Sequence, residues 1–157
     1  LRTACEYVIR KDQMIIYLYG QPASGKTTLA QRIKQELGPE KFVVIDGDEL
    51  RAITKNFDYS IKGRIENICA AHTIARFQKN KQGRGVIIAM VSPFEALRRE
   101  LQNSERDCFL FLLESNRTRG DEFVCYDFEA GTPNMRINTD LDVEGCVEGI
   151  IDALGSM

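Results

Sequence analysis

The chain reads as an α/β domain, a mostly parallel sheet with helices on both faces. Three observations point there. Short runs of Val, Ile and Leu stop at glycine or aspartate, apolar residues at helical spacing fill the stretches between them, and the alternation of the two recurs along the chain. In sheets of this kind ligands sit outside the carboxyl ends of the strands. The segments that follow strands therefore carry the functional reading.

Met14–Tyr19 is a short apolar run that stops at Gly20, as a buried parallel strand would. Thr27–Leu37 carries Leu29, Ala30, Ile33 and Leu37 on one helical face, and Gly38-Pro39 ends it. Phe42–Ile45 is a second strand and runs into Asp46-Gly47-Asp48. Arg64–Lys79 is helical in composition, with Ile65, Ile68, Ala71, His72 and Ala75 on one side. Val86–Val91 is the strongest strand in the chain, and Pro93 then opens a short helix. Cys108–Leu113 is a further strand and Val143–Leu154 a closing amphipathic helix.

The bulk composition suits one ordinary domain, 43% hydrophobic and 28% charged over 157 residues. No repeat, low-complexity tract or linker divides it, so residues 1–157 are expected to form one domain. Leu1–Gln13 mixes charges and has no apolar stretch of the signal-peptide kind, an N-terminal extension without an assigned role. A net charge of -2 gives no general pull towards nucleic acid or an anionic membrane, although Lys and Arg total 21. No apolar run approaches the roughly 20 residues of a membrane-spanning helix. Cys5, Cys69, Cys108, Cys125 and Cys146 form no CxxC pair, which argues against a disulfide framework or zinc site. Reduced, mostly buried thiols in a cytoplasmic protein are the expectation.

Gly20-Gln21-Pro22-Ala23-Ser24-Gly25-Lys26-Thr27 matches G-x-x-x-x-G-K-[ST] and stands between a strand and a helix. Its glycines let the backbone curl so that N–H groups converge on phosphate oxygens, and the helix dipole adds positive charge there. Gly20, Ala23, Ser24, Gly25, Lys26, Thr27 and Thr28 are the expected ATP-binding residues. Lys26 would reach the β- and γ-phosphates, and the Thr27 hydroxyl would ligate magnesium. The fold expectation sharpens to a P-loop NTPase-type three-layer sandwich. No N-K-x-D motif occurs, and Asp142–Gly145, a D-x-x-G, opens the last helix, far from a switch position, which argues against a GTPase switch.

Asp46-Gly47-Asp48 follows a strand expected to neighbour that of the phosphate loop, so its carboxylates should face the γ-phosphate. Asp46 is the candidate for metal support, with Thr27, and Asp48 for general base towards an acceptor hydroxyl. Arg51 and Arg64 suit bidentate contact with an anionic acceptor. His72, on the apolar side of its helix, is expected to pack rather than catalyse.

The set Gly20–Thr28, Asp46-Gly47-Asp48-x-x-Arg51, Arg64-Ile65-Glu66-Asn67-Ile68 and Val91-Ser92-Pro93-Phe94 resembles adenylylsulfate (APS) kinase, in the family's order and near its spacings. The resemblance runs from about Met14 to Leu154. It implies transfer of the γ-phosphoryl of ATP to the 3′-hydroxyl of adenosine 5′-phosphosulfate, giving PAPS for sulfate assimilation. By resemblance Asp48 is the base, and Arg51, Arg64 and Asn67 grip the acceptor. Tyr59 stands where the family stacks a Phe on adenine, and Ser92 lies beside the acceptor. The resemblance also implies a homodimer.

The chain departs from the family's pattern at three places. Cys69-Ala70 replace two arginines. Glu95 replaces an arginine, which is expected to reverse a charge beside the acceptor pocket. Glu114–Pro133 is shorter than the family's basic lid, with Arg117, Arg119 and Phe123 left as candidates for its roles. The donor half thus matches, while the acceptor half is altered. Two alternatives to an APS-like small-molecule acceptor stay open. One is a P-loop kinase, viral ones included, for a nucleoside, a nucleotide or a hydroxymethylated base in nucleic acid. The other is a module that binds ATP without turnover.

Overall fold

The computed structural model describes residues 12–117 and 120–157. Five parallel strands form one sheet: β1 (Ile15–Tyr19), β2 (Phe42–Asp46), β3 (Gly85–Met90), β4 (Cys108–Glu114) and β5 (Met135–Asn138), in the order β2-β3-β1-β4-β5. β1 is central and buried along its whole length, which explains its unbroken apolar run.

Six helices connect or close the strands: α1 (Lys26–Leu37), α2 (Gly47–Thr54), α3 (Ile61–Asn80), α4 (Glu95–Ser104), a single 3-10 turn at Asp121–Phe123, and α5 (Val143–Ser156). The alternation of the strands sorts them into two layers. Ile16 and Leu18 of β1 point to one face, where Leu29, Ala30 and Ile33 of α1 meet Val147, Ile150 and Leu154 of α5. Ile15, Tyr17 and Tyr19 point to the other, against Leu50 of α2, Ile68, Ala71 and Ala75 of α3, and Leu101 of α4. The expected three-layer α/β architecture is therefore present.

Four differences from the sequence reading have physical causes. α2 was not expected, because the sequence reading takes Asp46-Gly47-Asp48 for its carboxylates and assigns no helix after it; Asp46 caps that helix, accepting from the Asp48 and Glu49 N–H groups. β5 was not expected either, being a short edge strand in which only Ile137 is buried. Pro93 stands before α4, whose cap is Phe94, so it precedes the helix rather than opening it. Finally, β1 and β2 are not neighbours, since β3 lies between them. The phosphate loop and Asp46 meet across the end of β3, not along a shared strand edge.

Candidate active site

The loop after β1 turns on left-handed backbone at Ala23 (φ 66) and Gly25 (φ 91), which aims successive N–H groups inward. Gly20 is required by space, since a Cβ there would lie 2.4 Å from the Leu113 carbonyl oxygen of the neighbouring strand. α1 starts at Lys26 with no side-chain cap and no acid in its first turn. Its N-terminal N–H groups therefore remain available to an anion. Lys26 folds across the loop, its ammonium donating to Gly20 O (3.1 Å), Gln21 O (2.7 Å) and Ser24 Oγ (3.1 Å). Thr27 and Thr28 sit exposed at the mouth.

Asp46, buried at the end of β2, divides its two oxygens between two tasks. Oδ1 caps α2, and Oδ2 accepts from Thr27 Oγ1 at 2.6 Å. A hydroxyl and a carboxylate side by side at a helix N-terminus are hard oxygen donors of the kind magnesium takes. Among the described residues no group of three or more His, Cys, Asp or Glu is placed to hold a metal ion. Thr27 and Asp46 fit a magnesium ion whose remaining ligands are phosphate oxygens and water. Asp48, one helical position on from Gly47, is exposed and lines the same cavity.

That cavity, about 620 Å³, runs from Lys26, Thr27 and Asp46 past Asp48 to Arg51, Tyr59, Arg64, Asn67 and Ser92. All the acceptor-side residues singled out from the sequence are thus brought together. Their occupations differ from the expectation. Arg51 is buried, and its Nη1 donates to Asn56 O (2.9 Å), Asn56 Oδ1 (3.2 Å) and Asp58 O (3.0 Å). Its guanidinium lies 4.1 Å from the centre of the Tyr59 ring. Arg51 thus organises the α2–α3 loop and covers one ring face. Arg64 donates through Nε to Tyr59 O (3.0 Å), and its guanidinium lies 5.7 Å from the centre of the same ring. Asn67 donates to Gly47 O at 3.4 Å, while its buried Oδ1 has no partner. An unpartnered amide oxygen on a residue of the cavity wall suits a ligand hydroxyl or N–H once a side-chain shift exposes it.

Glu95 does not reverse a charge in the cavity, contrary to expectation. It is not among the cavity's lining residues, and its carboxylate turns along α4 to Arg99 at 2.8 Å.

Thr139, Cys125 and Glu122, none of them singled out as a site residue from the sequence, join the site beside the named lid residues. Thr139, after β5, donates to Ser24 O at 2.6 Å and so steadies the phosphate loop from behind. Arg117 donates to Thr139 O and Oγ1 (3.0 and 3.1 Å) and lies against Gly25. Gln21 makes a two-point bridge with the backbone of Cys125, donating to its carbonyl and accepting from its N–H, each at 2.9 Å. The short lid is thereby tied to the loop, with Glu122 and Phe123 on the cavity wall. Of the lid residues named from the sequence, Arg117 and Phe123 reach the cavity, and Arg119 lies outside the described residues. Among the described cysteines Cys108, Cys125 and Cys146 are buried and Cys69 is exposed. His72 is buried and bonded to Tyr17, and burial pulls its pKa down to about 4.

A family model for adenylylsulphate kinase matches residues 12–114, well over half of the chain. The chain belongs to the adenylylsulphate kinase family. Within it, the chain is 35% identical over 101 residues to the cytidine diphosphoramidate kinase of Campylobacter jejuni, covering 60% of this chain and 59% of that protein. It is 34% identical over 92 residues to the adenylyl-sulfate kinase of Burkholderia ambifaria, covering 57% of this chain and 50% of that protein. The matched stretch thus spans little more than half the length of these relatives. Among solved structures, the Mycobacterium tuberculosis APS kinase in complex with AMPPNP and APS superposes with a TM-score of 0.76 at 20% identity, covering 92% of this chain and 98% of that one. The shikimate kinase of Aquifex aeolicus superposes at 0.62 with 18% identity, over 91% and 97%. At such identities the likeness is one of fold.

The adenylylsulphate kinase match ends at residue 114, the last of β4. It therefore includes the phosphate loop, both aspartates and the acceptor-side residues to Ser92, and stops before the lid. The short lid, Gln21's partner Cys125, and Thr139 all lie beyond the matched stretch.

Proposed function

We propose that this chain is an ATP- and magnesium-dependent kinase that moves the γ-phosphoryl group onto a ribose hydroxyl of a nucleoside 5′-phosphoric anhydride, with adenosine 5′-phosphosulfate the favoured acceptor. The observation that carries the reading is the single cavity of about 620 Å³ joining Lys26 and Thr27 to Asp48, Arg64, Asn67 and Ser92. It has length for a donor at one end and an acceptor at the other.

In this reading the triphosphate lies along the loop N–H groups and the start of α1, with Lys26 moving from the loop oxygens to the β- and γ-phosphates. Thr27 and Asp46 would hold magnesium, which would supply charge neutralisation for the transferring phosphoryl group. Asp48 accepts the acceptor hydroxyl's proton as the oxygen attacks phosphorus. Arg64, Asn67 and Ser92 orient the acceptor, and Tyr59, braced by Arg51, lies where its ring can stack on a base. Gly20, Ala23, Ser24, Gly25 and Thr28 shape the phosphate cradle. One sheet with a core on each face supports a single kinase domain, and we place it in the cytoplasm as a homodimer, on family grounds.

A second acceptor is favoured by a specific observation, the 35% identity to a cytidine diphosphoramidate kinase. Both candidates are nucleoside 5′-anhydrides and differ in base and tail. APS ends in acceptor-only oxygens, whereas a phosphoramidate ends in N–H donors. ADP release with each acceptor separates them. Release with APS that Asp48→Asn lowers by roughly 10²–10⁴ supports the first; release with the cytidine compound alone replaces it. No transfer to either sinks the nucleoside-anhydride reading.

A further inference from the structure

Behind the acceptor wall the Tyr17 hydroxyl stands between two polar side chains, His72 Nε2 at 2.8 Å and Ser92 Oγ at 2.6 Å. All three residues are buried, on β1, α3 and the loop after β3. Ser92 lines the cavity; Tyr17 and His72 do not. The rings of Tyr17 and His72 meet edge to face at 5.5 Å, which fixes their mutual geometry.

A chain of three such groups has a polarity. Burial pulls the His72 pKa down to about 4, so the imidazole is neutral near pH 7 and carries one N–H. The direction of both bonds follows the tautomer. With the proton on Nε2 the imidazole donates to the Tyr17 oxygen, and Tyr17 then donates to Ser92 Oγ, at a distance normal for O–H···O. Ser92's own proton is left to point away from Tyr17. The Ser92 backbone is fixed in turn: its φ is 41, and its carbonyl accepts from the buried Arg98 Nη1.

We propose that His72 carries its proton on Nε2 and forms with Tyr17 a positioning pair that keeps Ser92 a hydrogen-bond donor towards the acceptor half of the cavity. They thereby select a ligand group with an acceptor-only oxygen, such as a phosphoryl or sulfuryl oxygen, at that point. The proposal rests on the kinase reading for its ligand but not for its hydrogen-bond polarity.

His72 is the one histidine of the chain, so its ring nitrogens give an unambiguous ¹⁵N spectrum. The unliganded protein is expected to show the Nε2–H tautomer. The signal should move in Tyr17→Phe, and also in Ser92→Ala, although Ser92 does not touch the ring. An Nδ1–H tautomer, or no response to either variant, overturns the proposal. Turnover gives the second readout. Tyr17→Phe, which keeps the buried ring, should lower kcat/KM for APS roughly five- to tenfold and leave the KM for ATP unchanged. His72→Gln, which can still present an N–H to Tyr17, should recover most of that loss, and His72→Leu should not. Tyr17→Phe combined with Ser92→Ala should be no worse than Ser92→Ala alone. Additive losses, or a matching change in the KM for ATP, reduce the pair to packing and overturn the proposal. If wild-type protein turns over neither APS nor cytidine diphosphoramidate, the acceptor reading fails, while the nitrogen spectra still decide the donor assignment at Ser92.

Discussion

Gln21 and Cys125 are joined as two rungs of a β-ladder would be, the side-chain amide of one matched to the backbone N–H and C=O of the other at 2.9 Å each. A variable position of the phosphate loop thus holds the lid, 104 residues away. In the adenylylsulphate kinase family fold this places lid order and nucleotide contact in the same few atoms. Whatever rearranges the loop around a triphosphate is felt at Cys125.

Gln21→Ala removes both bonds and leaves the phosphate-binding N–H groups intact. Amide exchange at Cys125 and its neighbours should quicken by about tenfold or more, at about 1 kcal/mol per lost bond. Affinity for an ATP analogue should fall a few-fold as the lid must then be ordered on binding. Hydrogen exchange by mass spectrometry and titration calorimetry read the two effects. Unchanged exchange at Cys125 would show that the lid is held by other contacts.

Asp46 has two separable duties, and two substitutions divide them. Asp46→Asn keeps a capping oxygen for the Asp48 and Glu49 N–H groups but loses the charge beside Thr27. Its melting temperature should stay near wild type, while kcat falls by roughly a hundredfold or more for want of metal support. Asp46→Ala loses the cap too and should cost about 1 kcal/mol of stability besides. Thermal melts alongside initial rates distinguish the pair; equal melting of the two variants would remove the capping role.

The order of legibility follows from range. Strands β1 to β4 are readable because burial on both faces leaves them almost uniformly apolar, and the phosphate loop because its chemistry is contained in one short segment. β5 is hidden by being a half-exposed edge, where Met135, Arg136, Ile137 and Asn138 show no run. α2 did carry a signal: Asp46 with Glu49 three residues on has the form of a capping box, masked by Gly47, a poor helix former, in its first turn. In the site, residues grouped by sequence motif come together as expected. Those acting on backbone far along the chain, Gln21 on Cys125 and Thr139 on Ser24, leave no local pattern. The acidic residue Glu95 shows the reverse hazard. Its position beside Ser92 in sequence suggested a cavity charge, yet helix geometry turns it to Arg99.

Arg51 is expected to resist its conservative replacement. One guanidinium nitrogen serves Asn56 and Asp58 while the carbon of the group lies 4.1 Å from the Tyr59 ring centre, and a compact ammonium cannot keep both contacts at once. Arg51→Lys should lower stability by about 1–3 kcal/mol and raise the KM for the acceptor, with the KM for ATP little changed. Urea unfolding and two-substrate kinetics test it. A normal acceptor KM in a destabilised variant would leave Arg51 with the loop alone.

His72 makes stability depend on pH in a defined window. In the unfolded chain its imidazole titrates at the ordinary value of 6.5, whereas burial in the fold lowers this to about 4. Between those values the unfolded state binds a proton that the folded state refuses, so stability rises with pH there. The contribution is fully present above pH 6.5 and is lost as the pH falls towards 4, below which both states are protonated. A shift of this size corresponds to about 3 kcal/mol. Carboxylates titrate over part of the same range, so the informative quantity is a difference. From pH 7 to pH 4, wild type should lose about 3 kcal/mol more unfolding free energy than His72→Gln, whose amide has no proton to gain. Parallel pH profiles of the two proteins in urea would mean that the imidazole takes up its proton within the fold, and that the Tyr17 side of the pocket accommodates the charge.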